Sequence, residues 1–182
     1  MTRPCPPLLF ALLLAGCATT SAHTVRTNSD GWTELSVDKG SRKQEILWRS
    51  GSPGARWRDD GTRTTDFGWV HSTAPAVIYG DSSCGRRVED VPLTVLVNHL
   101  TFGFEAVTTE SQESLDLAGR GALRRVFTAT LDGRPVKLAS TVVKKGPCVF
   151  DLVYLHADPA RFANHLPEYE AVVAGLAIKE GP

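Results

Sequence analysis

The chain lacks the features that mark several large classes of protein. Its 20 basic and 20 acidic residues balance, so it has no formal net charge at pH 7. That balance gives no reason to expect nucleic acid or an acidic substrate as a partner. The apolar run at residues 8–14 is far shorter than the ~20 residues needed to cross a bilayer, so we expect no permanent transmembrane helix.

Sequence motifs for metal and phosphate binding are also missing. The histidines, at positions 23, 71, 99, 156 and 165, form no H-x-H, H-E-x-x-H or Cys-His pattern, whereas a metal site needs three or four converging ligands. We therefore expect no metal and no cofactor, and we interpret the histidines as surface residues or as hydrogen-bonded core residues. The Gly-Arg-Gly sequence at residues 119–121 lacks the Lys and the Ser or Thr of a phosphate loop and is expected to be a turn.

The N-terminus has the layout of a secretory signal peptide, with Arg3 ahead of the apolar residues 8–14. The next residues, Leu-Ala-Gly-Cys ending at Cys17, resemble the bacterial lipobox. In that motif the cysteine receives a diacylglyceryl group and becomes the first residue of the mature chain. The resemblance implies a lipid anchor on Cys17 that needs no second membrane signal. The alternative is an ordinary signal peptide that is cleaved at a later small-residue site.

These features divide the chain into three expected parts. Residues 1–16 form the signal peptide, and residues 17–30 form a lipidated N-terminus with a flexible tether, because residues 18–30 are polar and lack apolar periodicity. Residues 31–182 form a single periplasmic domain. Ala18, where inner-membrane lipoproteins carry Asp, implies an outer-membrane location if the source has two membranes.

Two cysteines remain for the domain, because Cys5 leaves with the signal and Cys17 carries lipid. In an oxidising compartment, Cys84 and Cys148 are expected to form one disulfide. A pair of packed free cysteines is the alternative.

Hydrophobic patterning predicts an α+β fold, in which two helices pack on an antiparallel β-sheet and cover one of its faces. Alternating apolar residues between turn formers indicate the strands of the first half. These strands are expected at residues 32–37, 44–48, 67–71 and 76–79, with a long loop or loose hairpin at residues 49–65.

The second half of the chain predicts a helix, a meander of strands and a closing helix. Asp90 is expected to cap the first helix, at residues 91–102. Asp132-Gly133 is typical of a hairpin between strands at 122–131 and 136–144, and a further strand follows at 148–155. Asp158 and Pro159 are expected to open the last helix, which Pro167 could divide and whose apolar stripe should lie on the sheet.

This order of elements resembles the PsbP-like fold, shared by the photosystem II extrinsic protein and by bacterial lipoproteins such as the mycobacterial LpqN type. The resemblance covers residues 32–178 and rests on the helix at 91–102, the hairpin around Asp132-Gly133, the strand CVFDLVYL and the closing LPEYEAVVAGLAI helix. It implies a non-catalytic binding or assembly role.

The best candidate for catalysis is Ser82, which follows an apolar strand in the sequence AVIYGDS. This segment is similar to the first block of the GDSL hydrolases, where the serine is the nucleophile. That family also needs a late Asp-x-x-His pair, because a serine hydroxyl is unreactive without a base. No Asp in the chain has a His three residues later, so we expect a polar turn and no enzyme.

The best candidate for partner binding is Trp57, which stands between Arg56 and Arg58 in a segment full of turn formers. Trp and Arg are enriched at binding hot spots. The alternative is an indole that folds back onto the sheet.

The leading hypothesis is a lipid-anchored envelope protein that binds an envelope protein partner or supports an assembly. The alternatives are an envelope serine hydrolase that uses Ser82 and a carrier of a small apolar ligand held between sheet and helix.

Overall fold

Two antiparallel sheets and two α-helices make up the computed structural model, which describes residues 25–27, 32–38, 43–61, 64–85 and 90–180. The expected signal peptide and Cys17 lie outside these ranges. Within them, no helix is long and apolar enough to span a membrane. In chain order the elements are β1 (Val25–Thr27), β2 (Thr33–Asp38), β3 (Lys43–Arg49), β4 (Trp57–Asp59), β5 (Phe67–His71), β6 (Ala76–Cys84), α1 (Leu93–His99), β7 (Glu105–Leu117), β8 (Arg120–Leu131), β9 (Arg134–Lys145), β10 (Cys148–His156), a 3-10 turn (Pro159–Arg161), α2 (Phe162–Ala174) and β11 (Ala177–Glu180).

The smaller sheet, in the order β1-β2-β3-β11, joins the two ends of the described chain. β1 lies inside the segment expected to be a tether, so the folded part begins earlier than residue 31. Its β-branched Val25 and Thr27 stand opposite Leu35 and Thr33 of β2, and this pairing supplies the backbone hydrogen bonds that a tether would leave to water. β11 was not expected either.

The larger sheet has the order β4-β5-β6-β10-β9-β8-β7. The strands β8, β9 and β10 are the expected three-strand meander, to which β7 adds an edge strand. The hairpin at Asp132-Gly133 is confirmed, since Leu131 pairs with Arg134. Both turn residues have positive φ, 50° and 75°, as the tight hairpin turn requires. β10 then lies beside β6, which brings the two halves of the chain together.

Both faces of the larger sheet are covered, whereas the sequence predicted cover on one face. Val149 of β10 packs with Val97 of α1, and the adjacent Phe150 belongs to the cluster that contains Trp48 of the small sheet and Tyr169 of α2. The two helices therefore lie on opposite faces. Because β10 is buried on both sides, its sequence is a nearly continuous apolar run and not an alternating one.

The helix ends differ in part from expectation. Residue 92 and not Asp90 is the N-cap of α1, and it makes no side-chain capping bond. Asp158 caps the 3-10 turn as expected, because its carboxylate accepts a hydrogen bond from the N–H of Ala160 at 3.1 Å. Pro167 does not divide α2; it is exposed in the first half of a continuous helix.

The structure contains the expected disulfide between Cys84 and Cys148. The two residues are direct partners in the β6–β10 ladder, and their Cα atoms are 4.0 Å apart. The bond therefore closes one end of the central strand pair.

Candidate functional site

Three histidines that are distant in sequence meet at the opposite end of that strand pair. His71 ends β5, His156 ends β10 and His165 lies in the first half of α2. The ring centroids of His71 and His165 are 4.3 Å apart, and those of His156 and His165 are 5.7 Å apart. Trp57 lies 5.0 Å from His71 and 6.4 Å from His165. We call these four residues the histidine–tryptophan cluster.

The cluster is buried and only partly hydrogen-bonded. His71 is 6% exposed, His156 is 0% exposed and Trp57 is 7% exposed. Within the described ranges, no hydrogen-bond partner is present for His71 Nε2, His156 Nε2, His165 Nδ1 or Trp57 Nε1. Buried polar atoms without a partner are rare in proteins and call for an explanation. Of the two expected environments, His71 and His156 therefore have that of core residues, but in each of them one ring nitrogen has no partner among the described residues.

The other ring nitrogen of each buried histidine holds a backbone turn. His71 Nδ1 accepts hydrogen bonds from the N–H groups of Thr73, at 3.2 Å, and Ala74, at 2.9 Å. His156 Nδ1 accepts one from the N–H of Asp158, at 2.9 Å. A nitrogen that accepts carries no proton, so each neutral ring has its proton on Nε2.

This tautomer decides which chemistry the cluster can perform. His71 and His156 each offer a buried N–H at Nε2 and keep no free lone pair there. A metal-bound histidine does the reverse, because it donates its second N–H and binds the metal through the other nitrogen. Consistently, no group of three or more His, Cys, Asp or Glu side chains in the described part of the chain is placed to hold a metal ion.

Burial and repulsion from neighbouring groups favour the neutral forms of His71 and His156. Burial, followed by the neighbouring His165 and by Arg56, lowers the pKa of His71, and Glu168 opposes this shift only weakly. Burial and His165 likewise lower the pKa of His156, against the effect of Asp158.

A charged pair borders the cluster. The side chain of Arg56 is 68% exposed and forms a salt bridge with Glu168 of α2, whose side chain is 13% exposed. Glu168 Oε1 also lies 3.8 Å from His165 Nδ1. The carboxylate of Glu168 therefore forms a salt bridge with Arg56 and lies near His165 without a hydrogen bond to it.

The structure separates the three residues of the partner-binding hypothesis. Trp57 is in the core, so its indole is not at the surface as that hypothesis required, whereas Arg56 and Arg58 are exposed. The reason is the short strand β4, in which Trp57 pairs with His71 and successive side chains point to opposite faces. This strand was not predicted, because residues 49–65 were expected to form a loop or loose hairpin.

A sequence signal for His165 existed. It stands three residues after Phe162 and four before Tyr169, both buried, and thus on the inner stripe of the helix. His71 and His156 carry no comparable signal, because only the pairing of β5, β6 and β10 brings their strand ends together.

Ser82 lies outside the cluster. It is 2% exposed, and its hydroxyl donates a hydrogen bond to Asp66 Oδ2 at 2.5 Å, while Trp48 Nε1 donates to the same oxygen at 3.0 Å. Within the described ranges no histidine is hydrogen-bonded to Ser82. Its neighbour is a carboxylate that is already shared by two donors.

Aromatic rings fill the interface between α2 and the sheet, where a carrier would hold its ligand. Tyr154 stacks on Phe162 at 4.8 Å and on Tyr169 at 5.9 Å between ring centroids. The hydroxyl groups of both tyrosines are hydrogen-bonded to main-chain oxygens, those of Phe162 and Leu152.

No family model and no curated protein sequence matches the chain. Its fold is similar to that of LpqN, which is involved in cell envelope biogenesis of Mycobacterium tuberculosis, with a TM-score of 0.58 and 14% identity over 81% of this chain and 91% of LpqN. A Pseudomonas aeruginosa protein of unknown function has a TM-score of 0.48 and 14% identity over 84% of this chain and 94% of its own. The solution structure of cyanobacterial PsbP from Synechocystis has a TM-score of 0.49 and 10% identity over 92% and 99%. The architecture confirms the predicted α+β class, in which helices pack on antiparallel sheets, and the fold is similar to that of LpqN.

Proposed function

We propose that the chain is a cell-envelope lipoprotein, anchored through lipid on Cys17, whose domain binds an envelope partner and does not catalyse a reaction. The lipobox resemblance at residues 14–17 supports the anchor. The similarity of the fold to that of LpqN, an envelope biogenesis protein, supports the location.

The hydrogen bonding of the histidine–tryptophan cluster is the observation that carries the non-catalytic role. A general base needs a lone pair directed at its substrate, and the backbone bonds of Thr73, Ala74 and Asp158 occupy the lone pairs of His71 and His156. Within the described part of the chain, the Ser82 hydroxyl is bonded to Asp66 and no histidine is placed to activate it. If the chain were an envelope hydrolase, the purified protein would hydrolyse esters and Ser82→Ala would abolish that activity. This result would overturn the proposal.

The anchor would hold the domain close to the bilayer. β1 begins eight residues after Cys17, and chain geometry limits that span to about 28 Å. A domain held so near the membrane surface can reach a partner that lies in or at the same membrane.

Cys17→Ser is expected to remove the protein from the membrane fraction or leave it as unprocessed precursor, because the thiol that receives the lipid is gone. Metabolic labelling with palmitate, followed by fractionation, measures this. Cys5→Ser, inside the signal peptide, is the matched control and should keep full labelling. Unchanged labelling of the Cys17→Ser protein would contradict the anchor.

Arg56→Glu combined with Arg58→Glu is expected to reduce the yield of a specific partner in pull-downs from detergent-solubilised membranes. Both arginines are exposed on the surface beside the cluster, and exposed arginines are enriched at binding hot spots. Arg120→Glu, exposed at the start of β8, is the control for the change of charge. Equal recovery of every captured protein by all three forms would contradict binding at this surface.

A further inference from the structure

The buried histidines of the cluster hold the two turns that follow their strands. His71 binds the turn at residues 72–75, between β5 and β6. His156 binds the N–H of Asp158, whose carboxylate in turn caps the 3-10 turn that leads into α2. Protonation adds a hydrogen to Nδ1, so neither ring can then accept its backbone hydrogen bonds. The same histidines therefore fix both turns only while they are neutral.

Charged groups around the cluster come from α2 and from four other elements, and within the described ranges each acid among them already has a partner. Glu168 of α2 pairs with Arg56 of the loop before β4. Asp158 pairs with Arg161 of the 3-10 turn at 3.5 Å. Lys137 of β9 lies 5.1 Å over the ring of Phe162 and pairs with Glu110 of β7 at 2.6 Å.

A protonated ring would therefore gain little compensation. Tyr154 of β10 is the remaining titratable neighbour, and burial followed by Glu168 raises its pKa, so it stays neutral. A charged histidine would face two other imidazoles and Arg56, while the carboxylates of Glu168 and Asp158 are shared with arginines. Like charges at such distances in a poorly solvated site repel strongly.

We propose that the histidine–tryptophan cluster is an acid-sensitive latch, which releases the turns at 72–75 and 157–161 and the first half of α2 from the sheet in mildly acidic conditions. Opening exposes Trp57, Tyr154 and Phe162 to a partner. The latch regulates the binding role proposed above, but it can be measured with no partner present.

The direction of the pH effect follows from linkage. The folded-state pKa values of His71 and His156 lie below the unfolded value, so their contribution to stability is complete above ~6.5 and is lost as the pH falls through the folded values. Opening therefore takes up about two protons.

The second half of α2 has separate attachments that do not titrate in this range. The hydroxyl of Tyr169 is 2.7 Å from that of Thr141 and donates to the carbonyl of Leu152 at 2.9 Å. The disulfide closes the other end of the β6–β10 pair. The Tyr169 hydrogen bonds and the disulfide remain when His71 and His156 are protonated, so the opening is confined to one end of the sheet.

Acrylamide quenching of tryptophan fluorescence, measured on the full chain in detergent micelles between about pH 7.5 and about pH 5, tests the latch. Subtraction of the Trp57→Phe signal isolates Trp57. We expect its accessibility to rise as the pH falls, with a slope of about two protons that drops to about one in either His71→Asn or His156→Asn. Asparagine keeps an oxygen near the position of Nδ1 to accept the backbone bonds and does not titrate. The double variant should lose the response, and His99→Asn, on the exposed side of α1, should keep it.

Three results would overturn the latch: a constant accessibility of Trp57, a response that persists in the double variant, or a response that coincides with loss of amide protection throughout β8–β10. If the double variant does not fold, imidazole NMR of the unmodified chain decides the question. Titration of His71 and His156 without exposure of Trp57 would then refute the latch. Failure of the pull-down would count against the binding surface alone, because the latch measurement uses no partner.

Discussion

Reduction of the Cys84–Cys148 disulfide is expected to lower the free energy of unfolding by about 4 kcal/mol. The bridge joins residues 64 positions apart, and a loop of that length restricts the unfolded chain by roughly this amount in the loop-entropy model. The paired strands hold both residues in place without the bond, so the effect arises chiefly in the unfolded state. Urea unfolding with and without reductant measures it, and we expect the melting temperature to fall by roughly 10 °C.

The double variant with Cys84→Ala and Cys148→Ala is the control, because it has no bond between β6 and β10 to reduce and reductant should not change its stability. Free thiols at both positions in unreduced tryptic peptides of envelope-derived protein would contradict the bridge. The proton slope of the latch should be the same in oxidised and reduced protein, because the bond and the cluster lie at opposite ends of the β6–β10 pair.

Asp151→Asn is expected to raise the free energy of unfolding at about pH 8 by up to ~4 kcal/mol. Asp151 stands opposite Asp81 in the β6–β10 ladder, and among the described residues its buried Oδ1 has no hydrogen-bond partner. Burial, followed by repulsion from Asp81, raises the pKa of Asp151 from 3.8 to about 7. Above that pH the folded protein holds two adjacent carboxylates in a poorly solvated site.

The sign of this effect is opposite to that of the histidines. Because the folded pKa of Asp151 is above its unfolded value, its contribution to stability is complete below about pH 4 and is lost as the pH rises through about 7. Asparagine has the same shape and no charge, so the gain should be large at about pH 8 and small at about pH 4.

Urea unfolding at those two pH values measures the difference. Asp116→Asn, which removes an exposed carboxylate of β7, is the matched control and should change little. Equal effects of Asp151→Asn at both pH values, or a loss of stability at the higher one, would contradict the prediction. Together the two sites set the pH range in which the domain is most stable. A fall in pH protonates His71 and His156, and a rise in pH deprotonates Asp151.

Local residue patterns determined much of the fold. The hairpin at Asp132-Gly133 follows from two residues that tolerate positive φ, and the cap by Asp158 follows from a short acceptor beside a proline. Most strands of the larger sheet could be predicted because the hydrophobic effect operates on every second residue of a half-buried strand. The disulfide prediction needed only the count of cysteines that remain once Cys5 is assigned to the expected signal peptide and Cys17 to the expected lipid anchor.

Tertiary structure alone decided the partition into two sheets, the placement of the helices on opposite faces and the histidine–tryptophan cluster. β1, β4 and β11 are too short to show a hydrophobic period, and they form because a neighbouring strand accepts their backbone hydrogen bonds. Trp57 is buried for the same reason, since its pairing with His71 turns the indole inward. His71 and His156 stand 85 positions apart in the chain, and no local pattern records that β6 and β10 are paired. A site whose members come from separate strands exists only once the register of those strands is set, because the register and not the sequence spacing determines which side chains meet.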